Sequence, residues 1–567
     1  MHVALAALCV ATAPSPGQAV PATASPSFLH LSHGAVASDC EAASRAGAEL
    51  LAAGGNAADA ACATALALGV VHPFASGLGG GGFAIIYLAR TDRAVALDFR
   101  EIAPRGLQVS SAGAARMTPQ TGLAIGVPGE AAGLAELVNR FGALPFARCV
   151  EPALRLARGF SASPWLVQQI KDEIARHPDS APGLLAKVFD AGGRAPSEIR
   201  AGDRLSRPQL AKTLARLRAG GARSFYRGDI ARAIAAAATA AGSALTVEDL
   251  AAYQPVERLP IEVSFLGRRV LLMPPPSAGG VIMAEALAII GNELAALPSR
   301  EDPLSPSYLH LLAESSKHGF ADRARYLGDP AFSKLPLDHL LDPTYHRELA
   351  ARFSPDRVMP HASYGTPLPP TAGAARDAGT AHVSVVDKAG NAVALTTTIN
   401  LEFGARIIAG SSGVVLNDEL DDFTAAPGQP DVFALAGGPA NQPAPGKRPL
   451  SSMSPTIVLG KNGVELVAGA AGGPRIVSAT LQVLLDVLLF GRNAQEAIAV
   501  PRIHHQWEPD VLFHEPGVPA EVVRALAKKG HRTEARPDIG KANAIVRTPQ
   551  GLDAAADPRS GGAPAGY

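Results

Sequence analysis

Cysteine is scarce: the 567 residues hold four, and Cys9 falls in the opening apolar run, leaving Cys40, Cys62 and Cys149. An odd trio in so long a chain excludes a disulfide framework as the basis of the fold, and Cys62, inside AACATALALGVV, reads as a small buried hydrophobe. Net charge is missing too. Lys plus Arg number 51 and Asp plus Glu 51, so no basic field exists to hold nucleic acid or an anionic membrane. Beyond the start of the chain no segment reaches the ~18 uninterrupted apolar residues of a membrane span. No Ser/Gly linker and no internal repeat divides the sequence, and 47% hydrophobic residues supply a large core. One large body is expected, recognising its substrate locally.

Cofactor signatures are equally thin. GLGGGG at 77–82 lacks the Gly-Lys-Ser/Thr ending of a phosphate loop and the spacing of a dinucleotide fingerprint. His504 and His505 are adjacent, so they point apart on a strand, and no HExxH or Cys partner accompanies them. His310, Glu314 and His318 fall at i, i+4 and i+8, which reads as a solvated helical stripe. No cofactor and no metal is expected.

The first 38 residues contain no Asp, Glu, Lys or Arg, and residues 3–13 (VALAALCVATA) form an apolar run followed by Pro14 and by Gln18-Ala19. This resembles a secretory signal peptide over residues 1–25, which implies a periplasmic or secreted protein. Leu8 stands before Cys9 where a lipoprotein signal wants a small residue, which argues against a lipid anchor.

Residues 39–53 read as a helix capped by Asp39 and ended by Gly54-Gly55, with Asn56 opening a second helix through Leu68. After the glycine cluster, FAIIYLA and AVALDF read as strands, with Arg100 just beyond the second. Residues 130–350 are mostly helical in pattern, broken at clusters such as PPPSAGG (274–280). From Thr380 the texture turns to short β runs, AHVSVVD, AVALTTTI, GVVL, PTIVL and VELVAGA, before helices return near 475–490 and 519–529. Sheets and helices stacked in layers, an α+β body, are expected.

Residues 377–400, DAGTAHVSVVDKAGNAVALTTTIN, are two alternating runs around the turn-forming KAGN, a β-hairpin. If Thr380, His382 and Ser384 face Thr398, Thr396 and Ala394, then Val383 and Val385 face Leu395 and Val393, and one face is polar, the other apolar. The register one residue longer sets Thr380 against Ile399 and Val383 against Thr396, mixing the faces. The first register therefore places two hydroxyls side by side. From pattern alone, that pair reads as a cross-strand hydrogen bond with no chemistry.

The hairpin and the residues after it resemble the small subunit of γ-glutamyltransferases, members of the N-terminal nucleophile hydrolases. The resemblance spans nearly the whole chain through GGNAADAA, GLGGGGF, DFREIAP, PPPSAGG, ADRARYLGDP, LNDELDDF, KRPLSSMSPTIV, GGPRI, PRIHHQW and DPRSGGAPAGY. It implies a four-layer αββα sandwich, and self-cleavage between Gly379 and Thr380 into a large subunit, residues 26–379, and a small one, residues 380–567. It makes Thr380 the nucleophile and Thr398 the residue holding its hydroxyl, and it gives the oxyanion to Gly472 and Gly473. Arg100, Ser451 and Ser452 would take the α-carboxylate of a γ-glutamyl group, and Asn400, Glu419 and Asp422 its α-ammonium. The residue types fit independently: a threonine hydroxyl is a weak nucleophile, and a free α-amine of pKa ~7.7 to 8 on the same residue is a base poised near neutrality.

The implied activity is cleavage of γ-glutamyl amides such as glutathione through a γ-glutamyl-threonine ester, with transfer to water, amino acids or peptides. A glutaryl- or cephalosporin-type acylase on the same scaffold and a catalytically inactive secreted binding protein are the competing readings. Three departures from the family pattern stand out: Glu402 and Arg406, charges expected to bear on the leaving-group or acceptor side, and Phe433, where a lid tyrosine is usual.

Overall fold

The computed structural model describes residues 27–109, 117–294, 302–366, 378–425, 430–435 and 437–567, so the leader expected at 1–25 lies outside the described residues. Two seven-stranded antiparallel sheets stack face to face. The first runs, edge to edge, Ala563–Gly566, Ala35–Ser38, Ala378–Val386, Ala392–Leu401, Gly81–Leu88, Arg93–Phe99 and Val256–Arg258. The second runs Phe28–Leu31, Gly551–Ala556, Lys541–Thr548, Gly463–Ala471, Thr456–Gly460, Arg268–Leu272 and Ile261–Phe265. Helices Glu41–Ala52 and Ala57–Val71 cover the outer face of the first sheet, and Gly279–Glu293 and Arg475–Leu488 that of the second. The expected αββα sandwich is what forms. In both sheets, strands from the stretch after residue 380 lie between strands from the stretch before it, so the two stretches cannot separate without tearing ladders on both sides.

Local sequence explains the flanking layer. Asn56 accepts from the amides of Ala58 and Asp59, while Asp59 accepts from the Asn56 amide at 2.8 Å, a reciprocal cap. The helix it opens is apolar on every side, and all of it is buried. The preceding helix departs from expectation. It starts at Glu41, and Asp39 does not cap it; the Asp39 carboxylate accepts from the His382 amide at 2.7 Å instead, fastening the hairpin. GVVL is not a strand either. Gly413 turns with φ +67°, and the segment makes a single bridge, Ile408 to Val415.

The hairpin adopts the register that separated its faces: Thr380 opposite Thr398, His382 opposite Thr396, Val383 opposite Leu395. Its apolar face packs under helix Ala57–Val71. Its polar face points at the other sheet rather than at solvent, which obliges each group to find a partner. His382 bonds Thr396 Oγ1 at 2.8 Å and Ser384 Oγ at 3.1 Å, and Ser384 Oγ donates toward the Val467 and Asn543 carbonyls. Burial pushes the imidazole down to about 3, so it is neutral. The ring fits because Gly469 faces it, where a Cβ would lie 2.2 Å from His382 Cε1. The glycine cluster has the same explanation: a Cβ on Gly80 would lie 1.9 Å from the Thr398 carbonyl oxygen. Gly469→Ala is expected to destabilise the fold by about 2 kcal/mol through overpacking, read as a lowered thermal midpoint; an unchanged midpoint would show that the ring has room to move.

Candidate functional site

A bulge between Gly379 and Thr380 shifts the register by one, so Gly379 pairs with Asn400 while Thr380 pairs with Thr398. The shift brings three groups together. Thr380 Oγ1 lies 3.1 Å from Thr398 Oγ1, Thr398 Oγ1 donates to the Gly379 carbonyl at 2.9 Å, and the Asn400 amide donates to Thr398 Oγ1 at 2.9 Å. A hydroxyl has one proton. With that of Thr398 directed at Gly379, the Thr380 hydroxyl is left to donate into Thr398. The result is an oriented chain from Thr380 through Thr398 to the carbonyl of the preceding residue. Asn400 holds its place with φ +74°, its side chain donating to the Asp418 carbonyl at 3.1 Å while the Asp418 carboxylate accepts from Leu401 N and Gln120 N.

These hydroxyls open onto a cavity whose lining includes Arg100, Asn400, Glu419, Asp422, Ser451, Ser452 and Gly473. All six residues expected to recognise substrate are thus gathered at Thr380 from four separate stretches of chain. Gly472 and Gly473 carry the turn from strand Gly463–Ala471 into helix Arg475–Leu488 with φ +131° and +60°, where only glycine sits without strain. PPPSAGG shapes the serine loop: Ser451 N donates to Pro276 O and Ala278 N to Ser451 O, each at 2.8 Å, and Ser277 Oγ donates to Met453 O at 2.6 Å.

Arg100 is fully buried, and its guanidinium bonds Glu419 and Asp422 at once, with Glu101 3.7 Å away. The cation and anions assigned to opposite ends of one ligand are therefore bonded to each other. Burial would lower the Arg100 pKa, but Glu419, Asp422 and Glu101 outweigh it and hold the group protonated. Burial raises Glu419 and Asp422, with Arg100 pulling them back. It also pushes Glu101 and Asp418 up to about 7. The Arg100 backbone is set by Asp98, which accepts from Arg100 N at 3.0 Å and is itself bracketed by Arg258 at 2.7 Å and Arg448 at 3.3 Å.

Among the charged lining residues, Arg323 went unassigned in the sequence, while Phe433 was marked there as a departure at the lid position. Arg323, from helix Pro306–Tyr326, reaches the cavity and faces Asp422 and Asp431; its only signal was its place in ADRARYLGDP. Phe433 is buried against Gly473, where a Cβ would lie 3.0 Å from the ring. Glu402 and Arg406, by contrast, are not part of the lining. Glu402 pairs with Arg176, and Arg406 with Glu173 at 2.9 Å, which fastens helix Pro164–Arg176 to the loop after Asn400.

The supposed solvated stripe is buried: His310, Glu314 and His318 lie inside the body. Among the described residues, His310, Glu314 and His531 are the group with metal-ligand spacing. They are already neutralised from within. His310 bonds His531 at 2.7 Å, Lys317 Nζ sits 3.0 Å from Glu314, and Tyr364 O–H donates to the same carboxylate.

Comparison with known proteins gives a consistent answer. The family model described as Gamma-glutamyltranspeptidase matches residues 43–567. The glutathione hydrolase proenzyme of Escherichia coli K12 is 38% identical over 539 residues, 93% of this chain and 90% of that protein. The glutathione hydrolase proenzyme of Pseudomonas aeruginosa is 37% identical over 96% of this chain and 97% of its own. Among solved structures, the cephalosporin acylase of Bacillus halodurans superposes with a TM-score of 0.82 at 26% identity, covering 98% of this chain and 99% of its own. With a cavity built around a paired threonine hydroxyl and a buried arginine–carboxylate cluster, with a family match from residue 43 to 567 and with relatives of this identity over 93% and 96% of its length, the chain belongs to the γ-glutamyltranspeptidase family.

Proposed function

We propose that this protein is a self-processing γ-glutamyltransferase and glutathione hydrolase whose nucleophile is Thr380. The observation that carries the reading is the oriented chain from Thr380 through Thr398 to the Gly379 carbonyl, because it couples the attacking hydroxyl to the bond it must break. Thr380 Oγ attacks the Gly379 carbonyl carbon. Its proton passes to Thr398 as the Thr398 proton passes to the carbonyl oxygen. The C–N bond then breaks with a proton delivered to the Thr380 nitrogen, leaving an ester that water opens to a Gly379 carboxylate, a free Thr380 hydroxyl and a free α-amine. The word proenzyme in both relatives' names agrees with such a cut. The products are a large subunit ending at Gly379 and a small one from Thr380 to Tyr567, held together by the interleaved sheets.

In turnover the α-amine takes the Thr380 proton as the hydroxyl attacks a γ-glutamyl amide. Amides of Gly472 and Gly473 stabilise the oxyanion, the amine leaves, and water or an amino acid or peptide amine accepts the acyl group. A γ-glutamyl group is zwitterionic at its α-carbon, so it exchanges the ion pairs of Arg100 with Glu419 and Asp422 for two pairs of its own. Its carboxylate meets Arg100, Ser451 and Ser452, and its ammonium meets Asn400, Glu419 and Asp422. The likeness to a cephalosporin acylase favours a glutaryl-type activity as the second reading, but a glutaryl chain has no ammonium to offer Glu419 and Asp422. Faster release from a glutaryl than from a γ-glutamyl anilide would reverse the order. The charge-free leader supports export to the periplasm or beyond, and no helix among the described residues is long and apolar enough to cross a membrane.

Thr380→Ala is expected to stay uncut on a denaturing gel, and Thr398→Val to slow processing by about 10²-fold or more through loss of the proton path, with Thr398→Ser restoring it; normal cutting of Thr398→Val would remove Thr398 from the mechanism. Arg100→Lys keeps the charge that neutralises Glu419 and Asp422 while losing the fork. It should process and show a KM for a γ-glutamyl anilide raised about tenfold or more; an unchanged KM would refute the carboxylate assignment. Because burial raises Glu419 and Asp422, acid protonates the carboxylates assigned to the ammonium, and it also protonates the α-amine base. kcat/KM should therefore rise with pH through about 7 to 8, and a profile flat from pH 5 to 8 would contradict the assignment.

A further inference from the structure

PRIHHQW, at 501–507, plays no part in the chemistry above, yet its side chains run from the glycine turn to the segment that covers the cavity. Strand alternation from Ile503–His504 sends His504 and Gln506 to one side and His505 to the other, where His505 meets Asp510 at 3.3 Å. On the first side, Ser478 Oγ bonds His504 Nδ1 at 2.8 Å, and His504 Nε2 bonds Gln506 Oε1 at 2.8 Å. Gln506 Nε2 then donates to the carbonyls of Phe433 at 3.1 Å, Ala434 at 3.3 Å and Glu508 at 3.1 Å.

Every group in this chain is buried, and its polarity is fixed from one end. Three carbonyls face the amide nitrogen, so only one orientation of Gln506 satisfies them, and its oxygen must face His504. His504 therefore carries its proton on Nε2 and accepts the Ser478 hydroxyl on Nδ1. Burial pushes its pKa down to about 3, so no ordinary change of pH reverses that polarity. The far end of the chain is anchored. Ser478 belongs to helix Arg475–Leu488, which leaves the Gly472–Gly473 turn, and Gln482 on the same helix clasps both the amide and the carbonyl of Ile503 at 3.0 and 2.9 Å. The helix that follows the oxyanion turn thus also sets the position of Phe433, whose ring rests on Gly473.

We infer that Gln506, oriented by His504 and Ser478, is a positioning residue that holds Phe433 over Gly473 and thereby sets substrate affinity and the partition of the acyl group between water and an amine acceptor. The inference rests on the reading of Thr380 as the nucleophile. Gln506 touches no reacting atom; it acts by keeping the aromatic wall closed on the turn beside the acyl carbon. Without it the wall loosens, the donor is held less tightly, and water gains on the acceptor.

The test compares the full-length wild type with Gln506→Met, similar in shape and without the amide. On a denaturing gel both should process, while the KM for a γ-glutamyl anilide rises about tenfold, kcat stays within about threefold, and stimulation by glycylglycine falls about threefold or more. In a Phe433→Ala background the same substitution should add less than about twofold, since both act through one wall. Unchanged KM and stimulation, or effects that multiply independently with Phe433→Ala, would overturn the inference. Should Gln506→Met fail to process, Ser478→Ala provides the reading: it leaves the amide in place and should shift KM and glycylglycine stimulation the same way by about threefold, and no shift overturns the proposal. An uncut wild-type chain would instead remove the nucleophile reading itself, a separate outcome.

Discussion

The hydrogen bond from Thr398 to the Gly379 carbonyl depends on a single register. If the hairpin slipped by one residue, Thr398 would turn to the helix side and Ile399 would face Thr380. The slip is resisted on both faces. Leu395, Val393, Val383 and Val385 are buried under helix Ala57–Val71, and His382 fills a notch that only Gly469 leaves open. Because the polar face is enclosed between two sheets, each hydroxyl and ring nitrogen on it must have a partner, and the partners available fix which proton points where. The orientation of the Thr380 hydroxyl is thus a consequence of packing far larger than the site.

The second constraint is electrostatic. A buried guanidinium is tolerable only when paired, and Arg100 is paired with two carboxylates while a third lies close by. Such a cluster keeps the site preformed without ligand. On the proposed assignment it also makes recognition selective, because a ligand with one charge satisfies only one side and leaves the other buried and unmatched. A zwitterion of the right length satisfies both. Asp98 extends the logic outward: one carboxylate positions the Arg100 backbone and, through Arg448, the chain leading to Ser451, so the cation and the hydroxyls proposed for the same carboxylate share a mount.

Much of this was legible in the sequence, for reasons that differ by residue. The hairpin register could be read because a period of two makes a slip visible as a mixing of faces. The cap at Asn56 could be read because the amides it serves lie two and three residues on. Asp39 was misread as a cap because the amide it serves belongs to His382, 343 positions away. Arg323 was invisible because nothing local distinguishes a helix arginine that faces solvent from one that reaches a cavity. His310, Glu314 and His318 have the spacing of a wet stripe, and only the enclosure of their helix turns that stripe into an internal network. Glu402 and Arg406 were given a role near the acceptor because they depart from the family pattern; positive φ at Phe403, Gly404 and Arg406 turns the chain toward Glu173 and Arg176.

On the proposed reading, the position of the cut explains how one constellation can serve two reactions. Gly379 is confined: a Cβ there would lie 2.5 Å from the Phe74 carbonyl oxygen and 2.7 Å from that of Leu401. Its carbonyl is thereby held where the Thr398 proton meets it. On the reading proposed here, that is also where a substrate carbonyl must lie relative to Thr380 Oγ, so the first carbonyl must leave before the second can arrive. Pairing on both sides of the bulge keeps Thr380 fixed by Thr398 while the Gly379 side is released, since the strand ladder continues from Thr380 to Val386 independently of it. In the proposed mechanism the bulge is therefore a hinge in the covalent sense: intact, it presents the chain to its own hydroxyl; cut, it leaves the same hydroxyl with a base and an open face.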